Sequence, residues 1–186
     1  MVSRCNISLA PVAKAEDGHF SRPIVLVGFM GSGKSRIGQL LAKRLELPFA
    51  DSDAEIAKEF GMPIAEIFKT RGEAEFRGAE RRTISGLLGA VPRVIAVGGG
   101  AFVDPETRSV LLQTARTVWL DPPFEVIADR VSRSTHRPLA VTRNRDELQQ
   151  LWEERRPSYA KAHFRVETGE DDPERAVDRI VELLGD

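Results

Sequence analysis

Gly28-Phe29-Met30-Gly31-Ser32-Gly33-Lys34-Ser35 sets glycines, one lysine and one hydroxyl at the spacing G-x-x-x-x-G-K-[ST]. The chemistry of such a run is phosphate binding. Glycines let successive backbone N–H groups curl around phosphate oxygens, and the N-terminus of a following helix adds positive partial charge. Lys34 is placed to reach β- and γ-phosphates as a mobile point charge, and the Ser35 hydroxyl is a ligand for Mg²⁺. With Arg36 next in line, Gly31, Ser32, Gly33, Lys34, Ser35 and Arg36 form a nucleotide-binding set. A glycine-rich turn with an incidental lysine has the same composition. The context separates the two, because a buried strand precedes the motif and an amphipathic helix follows it.

Further along lie residues suited to an acceptor. Asp51 and Asp53 are two apart. If the strand before them persists that far they project to one side, one toward a metal shell and the other toward a substrate hydroxyl. Equally, Asp53 before Ala54-Glu55-Ile56 could cap a helix. Arg77, with Glu80 three residues on, offers a planar fork of donors for bidentate carboxylate recognition. Such a pair is otherwise a solvated helix face of little energetic value. Gly98-Gly99-Gly100 permits close approach of backbone to a ligand. Arg130, Arg133, Arg137-Pro138-Leu139 and Arg143 are cations able to close over a nucleotide and exclude water, and Arg155 adds a further guanidinium.

The elements that must position these groups follow from periodicity. Ile24 to Val27 is a short buried strand, and residues 35–45 carry apolar positions on one helical face. Residues 48–50 lead into the two aspartates as a second strand. Helical segments follow, broken at Gly61-Met62-Pro63, with a long one over residues 73–88. Strands are predicted at 93–97, 117–120 and 164–167, and helices at 124–131, 146–162 and 173–184, the last with Pro173 in its first turn. Residues 132–143 lack periodicity and read as a long loop. Strands alternating with helices imply an α/β fold with a parallel sheet covered on both faces. Ligands of such a sheet bind beyond the carboxyl ends of its strands, so the candidate residues can converge there. Asp121, after Thr117-Val118-Trp119-Leu120, is either a second metal-side carboxylate or, before Pro122-Pro123, a helix-start residue.

At 186 residues the chain fits one domain, residues 23–186, behind a poorly ordered leader over residues 1–22 that does not read as a signal peptide. Lys+Arg total 27 against Asp+Glu 28, which argues against a nucleic-acid or membrane-surface binder. The one cysteine, Cys5, cannot form an internal disulfide, which suits a reducing cytoplasm. No apolar run is long enough to span a bilayer.

From Pro23 onward the chain resembles the shikimate kinase family. G-x-x-G-x-G-K-S at 28–35, D-x-D at 51–53, I-F-x-x-x-G-E-x-x-F-R at 67–77, V-G-G-G-A at 97–101, R-P-L at 137–139 and R-x-P-x-Y at 155–159 occur in the family's order. The resemblance implies a three-layer fold of the P-loop kinase type, with a five-stranded parallel sheet and a mobile lid over residues 132–143. It implies ATP and shikimate as substrates, Mg²⁺, transfer of the γ-phosphoryl group to the 3-hydroxyl, and a cytoplasmic monomer. Asp53 would hold ring hydroxyls and take the proton of the attacking one. Arg77 and Arg155 would grip the shikimate carboxylate, with Gly98, Gly99 and Gly100 lining the ring. Lys34 and Arg137 would act on the transferring phosphates, Arg130 would stack near adenine, and Asp51 would touch Mg²⁺ through water. Two points depart from the family. The loop Thr168-Gly169-Glu170-Asp171-Asp172 lacks the usual basic residue, so its adenine contact is expected from backbone or not at all, and Ser158 replaces an apolar residue. The nearest rivals are a gluconate or nucleotide kinase, which the acceptor motifs disfavour, and a non-catalytic nucleotide switch, which leaves Asp53, Arg77 and Arg155 without a purpose.

Overall fold

The first strand, β1 (Ile24–Val27), consists of four aliphatic residues and is fully buried. Ile24 and Leu26 enter one core while Val25 and Val27 enter another, so the strand is covered on both faces. A computed structural model of the chain describes residues 21–89, 91–133, 144–169 and 173–185. Most of the expected leader and lid, residues 1–20 and 134–143, lies outside them.

Beside β1 run β3 (Val94–Ala96) and β4 (Arg116–Asp121), with β2 (Phe49–Asp51) outside β3 and β5 (Phe164–Glu167) outside β4. All four pairings are parallel, giving the order β2-β3-β1-β4-β5. The carboxyl ends of all five strands therefore share one edge. Because the chain leaves β1 to build β2 and β3 on one side, then β4 and β5 on the other, a crevice opens at the end of β1.

Helices α1 (Lys34–Arg44) and α7 (Pro173–Gly185) cover one face through Ile37, Leu41, Val177, Ile180 and Leu184. The other face is covered by α4 (Pro105–Thr114), α5 (Phe124–Ser132) and α6 (Arg145–Tyr159), which contribute Leu111, Ile127, Leu148 and Tyr159. A third, smaller core of Ile56, Ile67, Phe76 and Ala79 joins α2 (Ser52–Phe60) to α3 (Ile64–Leu88). The break expected at Gly61-Met62-Pro63 separates those two helices, and Gly72, with φ 82 and ψ 168, interrupts α3. No described helix is long and apolar enough to cross a membrane.

Several local expectations differ from what the chain does. The second strand stops at Asp51, and Ser52 already opens α2, so Asp51 and Asp53 are not strand neighbours. Asp51, not Asp53, is the capping residue; its Oδ1 accepts from the Asp53 and Ala54 backbone N–H groups at 3.0 and 3.4 Å. Helix α4 had no counterpart in the periodicity, although Asp104 caps it by accepting from Thr107 N–H at 2.9 Å and Pro105 stands in its first turn. Helix α5 runs through Ser132, where a loop was expected to begin. At its other end the chain resumes with a reciprocal cap, in which Asn144 Oδ1 accepts from Glu147 N–H and Asn144 N–H donates to the Glu147 carboxylate. Helix α6 ends at Tyr159, short of residue 162. Ala162 N–H bonds the Tyr159 carbonyl at 2.9 Å and turns the chain into β5.

That turn is tied to the sheet by His163. Its ring Nδ1 accepts the Thr117 backbone N–H at 3.1 Å, and the His163 backbone N–H donates to Thr117 Oγ1 at 3.0 Å. Nδ1 must be unprotonated to accept, so the ring proton of the folded protein sits on Nε2. Burial, together with the nearby charges of Arg116 and Arg22, depresses the His163 pKa against an opposing backbone bond at Leu112. The unfolded chain thus takes up the proton first as pH falls. Stability contributed by neutral His163 is present above about 6.5, the unfolded value, and is lost below it. Between pH 7.5 and pH 5.5, urea unfolding should show the wild type losing stability relative to His163→Asn, which keeps an acceptor but does not titrate; parallel curves would reject this linkage.

Candidate active site

The glycine-rich loop, residues 28–33, leaves β1 and wraps into the N-terminus of α1. Gly28 has φ 142, and a Cβ there would stand 2.7 Å from the Leu120 carbonyl oxygen, so only glycine lets the loop pass this close to β4. Gly33 is the N-cap of α1 in left-handed conformation, with no side-chain cap and no acidic residue in the first turn. The first N–H groups of α1 are left to an anion. Ser32 is fully buried, and its Oγ makes no hydrogen bond among the described residues. Lys34 Nζ folds back along the loop, donating to the Gly28 and Phe29 carbonyls at 2.9 Å each. Ser35 Oγ donates to Asp51 Oδ2 at 2.5 Å, so one carboxylate both caps α2 and meets the loop's hydroxyl.

Beyond α1 lies a cavity of about 270 Å³ lined by Gly33, Arg36, Arg130, Thr168, Gly169 and Arg175, among others. Arg130 spans its wall, donating to the Gly31 carbonyl at 3.2 Å and the Gly169 carbonyl at 2.8 Å. The Gly169 carbonyl is thus already engaged, and residues 170–172 lie outside the described residues. Arg175 and Arg179 of α7 also line this cavity, and the sequence reading overlooked both. Their i, i+4 spacing on the final helix was the available signal.

On the other side of the loop stands the triple-glycine turn after β3. A Cβ on Gly98 would lie 2.5 Å from Asp53 Oδ1 and 3.1 Å from Glu80 Oε1. A Cβ on Gly100 would lie 2.7 and 2.8 Å from the two terminal nitrogens of Arg77. Gly98 N–H donates to the buried Ser52 Oγ at 3.1 Å, which pins the turn over α2. Tyr159 OH donates to the Gly99 carbonyl at 2.6 Å. Burial pushes that hydroxyl up to about 12 against the pull of neighbouring Arg155, so it remains a donor. The Arg155 guanidinium stands 5.8 Å from the centroid of the Phe29 ring in the phosphate loop. One turn therefore borders Asp53, Glu80, Arg77 and Tyr159 together.

Arg77 is held in place by Glu80 Oε2 at 2.6 Å and Glu73 Oε1 at 3.4 Å. The Glu80 side chain is 2% exposed, so this is no solvated helix pair. Burial raises the Glu80 pKa, Arg77 pulls it down without cancelling the rise, and Asp53 and Asp104 add to it. Burial also works against the Arg77 charge, but the hydrogen bond and charge of Glu80 outweigh it and keep the guanidinium protonated. Glu80 holds the guanidinium as its spacing suggested, but from a buried position, and Ser52 is a site-forming residue that the sequence did not mark as such. Asp121 is buried and pairs through Oδ2 with Arg156 and Arg165, whose positive charges surround it. Arg137 lies outside the described residues.

A family model described as shikimate kinase matches residues 30–185. A shikimate kinase of Zymomonas mobilis subsp. mobilis is 44% identical over 166 residues, covering 89% of this chain and 94% of that protein. One of Caulobacter vibrioides is 47% identical over 167 residues, covering 88% and 82%. Among solved structures, a shikimate kinase from Acinetobacter baumannii in complex with shikimate superposes with TM-score 0.84 at 35% identity, covering 88% of this chain and 92% of that one.

The crowding around Gly98 yields a direct test. Gly98→Ala should displace Asp53 or the turn and lower stability by about 1–3 kcal/mol, as overpacking does. Gly86→Ala, on open α3 surface with nothing within 4 Å of the new Cβ, should instead stabilise by roughly 0.5–1 kcal/mol through helix propensity. Thermal unfolding of the two variants checks both signs.

Proposed function

The chain belongs to the shikimate kinase family, and from that premise we propose how its own residues carry the reaction. The enzyme transfers the γ-phosphoryl group of ATP to the 3-hydroxyl of shikimate, giving shikimate 3-phosphate and ADP. One observation carries the residue assignment. Asp53 and Arg77 border the same triple-glycine turn, whose middle residue would bring a Cβ to 3.5 Å from Met30 N in the phosphate loop. An acceptor resting on that turn lies between a carboxylate, a guanidinium and the phosphate site.

Phosphoryl transfer asks a protein mainly for alignment and charge neutralisation. ATP lies with its phosphates on the N–H groups of residues 31–36, its base toward Arg130 and the cavity beside it. Lys34 leaves its own loop's carbonyls for the β- and γ-phosphate oxygens, and the family resemblance assigns Arg137 to the same charge. Arg77 and Arg155 hold the shikimate carboxylate while Gly98, Gly99 and Gly100 lie along the ring. Asp53 aligns the 3-hydroxyl and accepts its proton as the oxygen bonds to the γ-phosphorus and the bond to the ADP oxygen breaks.

Ser35 Oγ and the Asp51 carboxylate, 2.5 Å apart at the mouth of the loop, are hard oxygen donors that suit Mg²⁺. Ser35 would hold it directly and Asp51 through water. Bound there, the cation would neutralise charge on the phosphate oxygens. The family resemblance favours a monomer with one catalytic domain over residues 23–186. We assign its work to the cytoplasm, where ATP is available.

A coupled assay of ADP release from MgATP, with and without shikimate, tests the reading. A shikimate-dependent rate with phosphorylated product supports it; ATP binding with no response to shikimate would overturn the acceptor assignment. Asp53→Asn should lower kcat by about a hundredfold or more with little change in KM for ATP, and near-normal turnover would remove Asp53 from its role. Arg77→Lys should raise KM for shikimate about tenfold through loss of the planar fork. An unchanged KM would reject that contact.

A further inference from the structure

Asp121 closes β4 at the edge where the phosphate loop emerges, and its side chain is only 4% exposed. Its Oδ2 accepts from Arg156 of α6 at 2.7 Å and from Nε and a terminal nitrogen of Arg165 on β5 at 2.9 and 2.8 Å. The Arg156 guanidinium carbon lies 4.7 Å from the centroid of the Trp152 ring and 5.5 Å from that of Trp119. Trp152 packs on Phe124 of α5 with centroids 5.5 Å apart. The last turns of α6 are thus fastened to the sheet by a guanidinium held against two indoles and a buried carboxylate. A buried carboxylate strongly resists loss of its partner, so this arrangement is stiff.

Arg155 is the next residue back on the same helix, about 100° around its axis. Once Arg156 is drawn toward Trp119, the direction of Arg155 is set as well: toward Phe29 of the phosphate loop and the Tyr159 hydroxyl. We infer that Asp121 and Arg156 are positioning residues for the acceptor. Through Arg156, Asp121 fixes the rotation of the last turns of α6 and aims Arg155 at the shikimate carboxylate. The inference rests on the assignment of Arg155 to that carboxylate in the preceding section.

Arg165 supplies the control, since it shares Asp121 but lies on β5 and not on α6. Arg156→Met keeps an apolar stem between the indoles and removes the anchor; Asp121→Asn removes the anchoring charge. Both should raise KM for shikimate about tenfold, with KM for ATP within about twofold of wild type, because a small misplacement of a binding group is costly to alignment. Arg156→Lys restores a positive charge to Asp121 and should recover part of that loss. Arg165→Met should lower the thermal midpoint yet leave KM for shikimate within about twofold. If Asp121→Asn does not fold, the Arg156 variants carry the test.

Calorimetric titration of shikimate into each variant gives the same reading without turnover. The inference is overturned if Arg156→Met binds shikimate as wild type does, or if Arg165→Met weakens binding equally, which would make the cluster a general fastening of the fold. Arg155→Met separates the premise from the inference. Unchanged shikimate binding there overturns the carboxylate assignment itself. Weakened binding there, with Arg156→Met unchanged, overturns only the positioning.

Discussion

A phosphate held by backbone N–H groups requires the backbone to come within hydrogen-bonding distance of the anion while the loop threads between two strands. At the end of β1 this leaves no room for side chains: a Cβ on Gly28 would meet the Leu120 carbonyl oxygen at 2.7 Å. The same crowding recurs at the triple-glycine turn, where Gly98 and Gly100 let Asp53, Glu80 and Arg77 lie directly against backbone. The parallel sheet makes both approaches possible by bringing every carboxyl end to one edge. Asp51 links the two halves, because its two oxygens serve different masters, the N-terminus of α2 and the hydroxyl of Ser35.

Charge around the triple-glycine turn is arranged with similar economy. Two carboxylates, Asp53 and Glu80, approach Gly98. Glu80 is buried, and its environment favours the neutral form except for the guanidinium of Arg77. Arg77 in turn overcomes its own burial through Glu80. Each charge in the pair is thus conditional on the other, as buried pairs are. The arrangement leaves the Arg77 fork against Gly100 rather than free to follow solvent.

Much of this was legible in the sequence because it is local. The phosphate loop, the buried strands around it and the breaks at Gly61-Met62-Pro63 depend on residues within a few positions of one another. Assigning the aspartates was harder, since a strand end and a helix cap differ by a single residue of register, and the cap turned out to be Asp51. Helix α4 escaped because Val110, Leu111 and Leu112 run consecutively and show no helical period, leaving only its Asp104-Pro105 start as a signal. Spacing alone left the Arg77–Glu80 pair open between a held guanidinium and a solvated helix face; the burial of Glu80 that decides it depends on packing beneath Gly98, which α3 cannot announce by itself. The Asp121 cluster joins residues 35 and 44 positions apart, and no local pattern marks such a meeting.

Both tryptophans of the chain, Trp119 and Trp152, stand against the one guanidinium of Arg156. The intrinsic indole emission of this protein is therefore a report from a single spot, the seam between α6 and the sheet. It is blind to the opposite face, where α1 and α7 pack over Ile24, Leu26 and Val118. An unfolding curve recorded by fluorescence is weighted toward this seam and the buried β4 strand beneath it, whereas far-ultraviolet dichroism averages over all the helices. Coincidence of the two curves becomes a statement that both faces of the sheet come apart together.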